Sequence, residues 1–343
     1  MKLKVFDITA MVLAVLSVML SFSLCGCTNT RVTDSEFMMD TIINYDITHS
    51  DVYALIDECN NITASTEALF SAYSGTSAVS EFNNSRKIII EDIPELYDVL
   101  RISSEVHEIS GGAFDITVFP LVKLWNVTHS EDSWTPPNDD DIQALMPDVG
   151  MDKLMYDSYL LTRVPYESMT EIDLGGIAKG YTLGKCAEYL SSQKAMGTLN
   201  FGGNIALIGS KRGGESWNVG IKNPFAPDTL IGVLALDSGI VATSGAYERY
   251  TEYDSVRYHH IIDPSTGYPA DSDLALVAVW VSEADAYSGA YADALSTALF
   301  VMGHDAALEL YKPYSNFEAV LIKNDGTVTV TDGLAERYTS YEE

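Results

Sequence analysis

The 343-residue sequence has few basic side chains for its length. It contains 20 Lys and Arg residues against 49 Asp and Glu residues, which gives a formal net charge of −29 at pH 7. A chain with this charge repels nucleic acid and anionic lipid surfaces, so a nucleic-acid-binding function is disfavoured. It also repels a free phosphate ligand, and we therefore expect local donors and a cation to hold any such ligand.

Cysteine is scarce, and several common site motifs are absent. Of the four cysteines, Cys25 and Cys27 lie near the N-terminus, and Cys59 and Cys186 can form one bridge or none. The sequence has no CxxC or HxxxH pair for zinc, so we expect any metal to be bound by oxygen. Neither GxxxxGK[ST] nor GxGxxG occurs, which excludes a Walker loop and a Rossmann dinucleotide fingerprint.

The N-terminal apolar run is shorter than the roughly 20 residues of a membrane span. It covers residues 10–24, follows a basic start and ends at Cys25-Gly26-Cys27. This pattern predicts a signal peptide over residues 1–26, a tether over 27–36 and a folded domain over 37–343. Leu-x-Gly-Cys resembles a bacterial lipobox in which Cys27 is lipidated, the alternative being a free buried thiol. We expect an exported protein, lipid-anchored on the outer or periplasmic face of a bacterial membrane.

The hydrophobic periodicity predicts an α+β fold with mixed or antiparallel sheets and flanking helices, because single helices alternate with runs of strands. Predicted helices cover residues 52–69, 94–109 with Asp92 as a possible cap, 177–190 and 290–302. Predicted strands cover residues 41–48, 198–208 with a break at Gly202-Gly203, 230–237 and 274–281, followed by two strands around the Asn324-Asp325-Gly326 turn. The acidic segment 126–151 is predicted to be a surface loop with a short helix at DDDIQALM.

Asp293 and Thr297 stand four residues apart in a predicted helix. This spacing places a carboxylate and a hydroxyl on one face, one turn apart. Such a pair of hard oxygens suits Mg²⁺ when a phosphate completes its shell. The alternative is a polar helix face exposed to solvent.

Two glycine-rich segments are candidates for ligand contacts. In Ser110–Thr117 (SGGAFDIT), backbone N–H groups can converge on an anion or a planar ring, Phe114 can lie against an aromatic ligand and Asp115 can accept its N–H or hydroxyl groups. The alternative is a helix stop followed by a buried strand. Residues 171–181 (EIDLGGIAKGY) combine a carboxylate, exposed carbonyls, helix N-terminal amides and Lys179, the groups that a diphosphate with magnesium requires.

A third segment, ATSGAYER at residues 242–249, precedes HHIIDPSTGYP at residues 259–269. A histidine three residues before Asp263 can be a general base with a polar orienting shell. Alternatively, His259 and His260 simply face opposite sides of a strand.

The ordered series SGGAFDIT, DLGGIAKGY, NFGGN, ATSGAYER, HHIIDPSTGYP and ADALSTALFVMG resembles the ApbE family, the FAD:protein FMN transferases. The resemblance covers residues 37–305. It implies the T-fold-related architecture of that family and a magnesium-dependent lipoprotein that moves the FMN half of FAD onto a threonine or serine of another exported protein, releasing AMP. The expected acceptor is a redox-complex subunit or an electron-transfer protein.

The resemblance also implies residue roles. Mg²⁺ would be held by Asp293, Thr297 and the backbone carbonyl of Gly176. Lys179 would stabilise the leaving group, and His260 would act as base with Asp263 as its orienting partner or substitute. The implied contacts of the flavin nucleotide are Met39, Tyr73, Ala113, Phe114, Asp115, Asp173, Lys179 and His260.

One departure from the family pattern stands at Asp40, because the family usually has Met-Gly-Thr where this chain has Met39-Asp40-Thr41. An acidic side chain there is expected to crowd or repel FAD. Two other functions remain open from the sequence: an FAD pyrophosphatase that uses water as acceptor, and a flavin-binding lipoprotein without catalysis.

Overall fold

The computed structural model describes residues 29–130, 133–211, 213–226, 228–314 and 316–341. The predicted signal peptide and Cys27 lie outside these residues. Within them, no helix is both long and apolar enough to cross a bilayer. Most of the predicted tether is a strand instead, since Thr30–Met38 pairs along its whole length with Thr41–His49.

The order of elements alternates helices with groups of strands. The helices are α1 Val52–Phe70, α2 Ala78–Ser85, α3 Pro94–Ile109, α4 Phe119–Trp125, α5 Asp139–Leu145, α6 Ala178–Ser192, α7 Ala286–Met302 and α8 His304–Tyr311. The strands are β1 Thr30–Met38, β2 Thr41–His49, β3 Lys87–Ile89, β4 Leu154–Tyr156, β5 Leu160–Arg163, β6 Met196–Phe201, β7 Asn204–Ile208, β8 Trp217–Lys222, β9 Leu230–Leu236, β10 Gly239–Gly245, β11 Tyr250–Tyr253, β12 Val256–His259, β13 Leu274–Val281, β14 Glu318–Lys323, β15 Val328–Val330 and β16 Tyr338–Ser340.

The central sheet has the order β1-β2-β6-β7-β10-β13-β14-β15, and every neighbouring pair is antiparallel. Smaller sheets have the orders β16-β9-β8, β3-β5-β4 and β11-β12. Helices α1, α6 and α7 pack on one face of the central sheet, and the β8–β9–β16 sheet covers the other. The predicted α+β class with antiparallel sheets and flanking helices is confirmed.

Strand β13 shows why the sheet is buried on both faces. Its sequence LALVAVWV is a continuous apolar run rather than an alternating one. Val277 and Val279 join the core beneath the helices, while Leu276 and Ala278 join the core beneath the small sheet. Because successive side chains of a strand point to opposite faces, only a strand covered on both sides needs this composition.

The short helix predicted at DDDIQALM is confirmed by α5. One other local prediction is wrong, one alternative is excluded, and the segment around α5 has contacts that were not predicted. Asp92 does not cap α3, because the helix begins after Ile93 with Pro94 and no side chain accepts its first amides. The stretch after Gly111-Gly112 is a turn leading into α4 rather than a buried strand. Segment 126–151 is anchored as well as exposed: Trp134 Nε1 donates to the carbonyl of Trp125 at 2.7 Å, and a separate apolar cluster includes Ile142.

The two remaining cysteines form no bridge. Cys59 and Cys186 are both free and buried, and the Cys186 thiol donates to the backbone carbonyl of Cys59 at 3.6 Å. They join α1 to α6 as small packing groups, which resolves the alternative that the sequence left open.

Helices α6 and α7 cross at glycine contacts. A side chain at Gly180 would meet the backbone of Gly289 and, at 2.5 Å, Cβ of Asp293, while one at Gly184 would meet the backbone of Asp285 and Ala286. The two helix backbones therefore approach as closely as their main-chain atoms allow. This contact decides where the side chains of α7 lie relative to the start of α6.

We expect Gly184→Ala to destabilise the fold by about 1–3 kcal/mol, the usual cost of overpacking a tight contact. Alanine favours a helix over glycine by about 1 kcal/mol, but the new methyl group meets backbone atoms that cannot rotate away. Urea unfolding measures the loss. The matched control is Gly75→Ala, where a side chain meets nothing within 4 Å. Equal stability of the two variants would contradict the tight crossing.

Candidate active site

A cavity of about 940 Å³ opens between the central sheet, the start of α6, α7 and the turn after α3. Apart from Asp263, the predicted ligand, metal and catalytic residues within the described chain all line it: Met39, Tyr73, Ala113, Phe114, Asp115, Asp173, Gly176, Lys179, His260, Asp293 and Thr297. These residues come from segments that are distant in sequence. The tertiary fold thus brings the quoted motifs together around one space.

Asp293 and Thr297 lie in the middle of α7 and face this cavity. Asp293 is only 4% exposed, and its Oδ2 accepts the backbone N–H of Gly180 at 2.8 Å. Thr297 Oγ1 lies 3.2 Å from Ser244 Oγ of β10. The pair is therefore held in place by α6 and β10, which excludes the alternative of a solvent-facing helix surface.

The two glycine-rich segments are joined backbone to backbone. The N–H of Asp173 donates to the carbonyl of Ile116 at 2.8 Å. The ring of Phe114 lies against Gly176, where an added Cβ would stand 3.2 Å from it and 3.8 Å from Thr297 Oγ1. Gly176 is thereby placed beside the Asp293–Thr297 pair, and the aromatic ring of Phe114 packs against the Gly175-Gly176 turn.

Asp115 borders the cavity and also has hydrogen-bond partners within the protein. Its Oδ1 accepts from the backbone and the hydroxyl of Thr117, at 2.7 and 2.5 Å, and its Oδ2 accepts from the backbone of Met151 at 3.2 Å. The carboxylate is 7% exposed, and burial raises its pKa despite these bonds and nearby His107. Both of its oxygens already have protein partners. The side chain therefore fixes the turn that presents Ala113 and Phe114 to the cavity.

Asp173 and Lys179 supply opposite charges at the start of α6. Burial raises the pKa of Asp173, while the Gly175 amide, which donates to its Oδ1 at 3.1 Å, and Lys179 lower it. Lys179 Nζ donates to the carbonyl of Gly175 at 3.1 Å. The ammonium group is thus held beside the turn while its remaining protons face the cavity, where an anion can accept them.

His260 follows β12 and borders the cavity. Its Nδ1 lies 3.1 Å from the backbone carbonyl of Arg249. Because a carbonyl only accepts, Nδ1 carries the proton and Nε2 is left with a free lone pair. Burial, with smaller contributions from Lys179 and Arg249, lowers the pKa of His260 to about 3. The imidazole is therefore neutral near pH 7.

The structure does not place Asp263 as the orienting partner of His260. The carboxylate of Asp263 accepts instead from the backbone and hydroxyl of Ser265, at 2.8 and 2.7 Å. Asp263 borders a smaller adjoining pocket of about 360 Å³ that shares Ala113, Asp115 and Pro264 with the main cavity. The orienting contact of His260 belongs to the Arg249 carbonyl. His259 is structural, because its Nε2 bonds the Ala270 carbonyl and its Nδ1 accepts from Ile261.

The oxygen groups near Gly176 fit a hard cation better than a soft one. Among the described residues, no cluster of three His, Cys, Asp or Glu side chains could hold a metal. The available donors are the Asp293 carboxylate, the Thr297 hydroxyl and the carbonyl groups of the neighbouring turn, all of them oxygen atoms. Such a set leaves positions for phosphate oxygens and water, as Mg²⁺ prefers. The residues present therefore suit Mg²⁺ held jointly by protein and substrate.

Comparison with known proteins identifies the family. The model of the ApbE family matches residues 39–321. This chain belongs to the ApbE family. A relative from Treponema pallidum named FAD:protein FMN transferase is 30% identical over 306 residues, which cover 84% of this chain and 82% of the relative. A relative of the same name from Klebsiella pneumoniae is 30% identical over 246 residues, or 71% and 74% of the two chains.

Solved structures agree with this assignment. The ApbE protein of Thermotoga maritima superposes with a TM-score of 0.81 at 29% identity, covering 90% of this chain and 99% of that one. The flavin transferase ApbE from Vibrio cholerae gives a TM-score of 0.76 at 25% identity, with the same coverage. The predicted ApbE-like architecture is thereby confirmed.

The departure from the ApbE pattern at Asp40 is accommodated. Met39 and Asp40 both have positive φ, 52° and 55°, a conformation that suits the usual glycine and that aspartate tolerates better than most residues. Arg249 donates to the Asp40 carbonyl at 2.8 Å and pairs with its carboxylate at 3.0 Å. The guanidinium group of Arg249 therefore offsets the expected repulsion between Asp40 and FAD. Arg249 also orients His260, so the same residue contacts both the β1–β2 turn and the imidazole.

Two residues in the ATSGAYER segment were not singled out from the sequence. Ser244 bonds both Ser296, at 2.8 Å, and Thr297, and Glu248 lines the cavity. Glu248 is open to the cavity, yet the surrounding walls displace enough water to raise its pKa to about 7, against the opposing effect of Lys179. Their place within a recognised segment is the only sequence signal for them, since neither serine nor glutamate is distinctive alone.

The raised pKa of Glu248 predicts a pH-dependent stability difference. The carboxyl titrates near 4.5 without burial and near 7 in the fold, so the folded state binds the extra proton between these values. The contribution of Glu248 to the free energy of unfolding is therefore lost as the pH rises from about 4.5 through 7. We expect Glu248→Gln to gain stability relative to the wild type over that interval, as measured by urea unfolding at pH 5 and pH 8. A constant difference would contradict the shift.

Proposed function

We propose that this protein transfers the FMN half of FAD onto a threonine or serine hydroxyl of another exported protein, in a magnesium-dependent reaction that releases AMP. Membership of the ApbE family and relatives named FAD:protein FMN transferase support the general activity. Magnesium, the hydroxyl acceptor and the AMP product are the finer parts of the proposal. The resemblance to the ApbE family implies them, and the oxygen donors and the ammonium group of the cavity support the part that concerns magnesium and the diphosphate.

The observation that carries the proposal is the meeting of Asp293, Thr297 and Gly176 at one end of the cavity, with Lys179 on the adjoining helix turn. A chain of net charge −29 has no general attraction for a dinucleotide. A local cation site and a local ammonium group are therefore the means by which a diphosphate can be retained. A protein that only binds flavin has no need of the oxygen pair.

When bound, Mg²⁺ would be held by Asp293, Thr297 and Gly176 and would neutralise charge on the diphosphate oxygens. The protein's own groups do the rest of the binding. Lys179 and the amides of the turn orient the phosphates and stabilise the negative charge that develops on departing AMP. Phe114 and Tyr73 offer aromatic surface to the flavin nucleotide, and Tyr73 is 60% exposed at the cavity wall.

His260 is proposed to accept the proton of the incoming hydroxyl at Nε2. In the transfer, the hydroxyl oxygen bonds to the phosphorus of the FMN half as the bond from that phosphorus to the AMP oxygen breaks. The fixed tautomer already leaves Nε2 free. Burial is the main cause of the low pKa of His260, and the charges of Lys179 and Arg249 lower it further. A bound polyanion offsets these two charges, which strengthens the base when substrate is present.

The N-terminal sequence supports an exported, lipid-anchored enzyme. Cys27 is proposed as the lipidated residue on the outer or periplasmic face of the membrane. The acceptor hydroxyl then belongs to a protein on the same side, such as a subunit of a redox complex or an electron-transfer protein.

The direct test incubates the mature protein with FAD, Mg²⁺ and a candidate acceptor protein. The expected result is covalent flavin fluorescence on the acceptor after denaturing electrophoresis, together with an equal amount of AMP. AMP without labelled acceptor would indicate an FAD pyrophosphatase instead. Neither product would overturn the proposed catalysis.

We expect Asp293→Asn to lose at least about 100-fold in transfer rate, because metal-ion stabilisation amounts to several kcal/mol and each 1.4 kcal/mol is tenfold. Asparagine still offers an oxygen to the Gly180 amide, so the fold should persist. The measurement is the transfer rate across a Mg²⁺ titration, with half-saturation moving to higher concentration. Unchanged magnesium dependence and rate would refute the metal assignment.

We expect His260→Ala to slow transfer by about 10²–10⁴-fold at saturating FAD, since the residue acts on the acceptor proton. Added imidazole should restore part of the rate. The matched control is His49→Ala, at the far end of β2 and roughly 26 Å along the strand from the cavity residue Thr41. Full activity of the His260 variant would remove it from the mechanism.

A further inference from the structure

Only one of the two polar atoms in the Asn204 side chain has a hydrogen-bond partner among the described residues. It stands at the start of β7, is 2% exposed and lines the cavity. Its Oδ1 accepts the backbone N–H of Thr243 at 3.3 Å, whereas Nδ2 has no hydrogen-bond partner within the described chain. A buried amide donor without a partner is costly, so this NH₂ group is an unused donor in a residue that lines the cavity.

The free amide lies on the same side of the sheet as the Asp293–Thr297 pair. Side chains alternate along β7, and Ala206 and Ile208 belong to the core beneath the helices, so Asn204 faces that side too. Thr243, to which Asn204 is bonded, is followed by Ser244, whose hydroxyl contacts Thr297. Asn204 is thereby linked to the proposed metal pair through two consecutive residues of β10.

The turn before Asn204 consists of two glycines. Gly202 and Gly203 have φ of 61° and 109°, and a side chain at Gly203 would stand 2.9 Å from Thr243 Oγ1. The N–H of Gly203 is held by Asn200 Oδ1 at 2.9 Å. Neither glycine adds a side chain between Asn204 and the cavity that both residues line.

We propose that Asn204 donates its side-chain amide to a phosphoryl oxygen of the dinucleotide, beside the Asp293–Thr297 pair. An amide NH₂ group donates to acceptor atoms, and the diphosphate presents acceptor oxygens where the metal pair would hold it. This inference rests on the proposed function, because it assigns a binding residue to the same substrate. Asn204 is a positioning residue for the diphosphate.

Asn204→Asp and Asn204→Ala test the assignment together. The aspartate variant keeps an oxygen for the Thr243 amide and replaces only the free NH₂ group, and the alanine variant removes the donor without adding charge. We expect both to weaken FAD and ADP binding by about tenfold or more at saturating Mg²⁺, measured by calorimetry. Thermal unfolding without ligand should leave the aspartate variant close to the wild type. Asn324→Asp, outside the cavity, controls for added charge.

The outcomes separate this inference from the proposed function. If the wild type neither binds FAD nor releases AMP, the proposed function fails. If the wild type binds FAD and the alanine variant binds it within twofold of the wild type, the donor is dispensable and this inference alone is overturned. It is overturned even when the aspartate variant binds weakly, because repulsion by the new carboxylate then explains that loss. Loss of binding in both variants with an intact fold supports the contact.

Discussion

The hydrogen bond from the Gly180 amide to Asp293 depends on two helices that touch through glycine. Since α6 and α7 approach at Gly180, Gly184 and Gly289, a short carboxylate on α7 reaches the first turn of α6 at 2.8 Å. Larger residues at these crossings would separate the helices and withdraw Asp293 from the Gly175-Gly176 turn. The position of Asp293 in the proposed metal site is therefore a consequence of backbone packing rather than of a flexible side chain.

Charge in the cavity is arranged locally, against the strongly acidic balance of the whole chain. Arg249 neutralises Asp40 and, through its carbonyl, fixes the tautomer of His260. Lys179 is held beside the turn by Gly175. Arg249 thus connects the β1–β2 turn to the proposed base, and the ammonium group of Lys179 offsets the charge of nearby carboxylates. The net negative charge of the whole chain favours solubility, whereas the few cationic groups at the cavity determine which ligands it can bind.

Several polar groups in or near the cavity have hydrogen-bond partners within the protein that stabilise the architecture. Asp115 satisfies the turn that follows α3, and His259 joins neighbouring backbone segments. Asp263 belongs to a turn with Ser265 and borders a separate pocket. Their hydrogen bonds within the protein give these three residues a structural role. Lys179, His260 and Asn204 differ from them because each has a donor or acceptor atom available at the cavity wall.

The sequence by itself determined the α+β class, most of the helices and central strands, the family, and the residues that meet in the cavity. Hydrophobic periodicity and ordered glycine-rich motifs are local properties, so they can be recognised in the sequence alone. Only the tertiary structure decided that Thr30–Met38 is a strand rather than a tether, that Arg249 orients His260, and that Glu248 and Asn204 belong to the site. These depend on strand pairing, burial and unpaired donors between segments far apart in the chain, which no local pattern encodes.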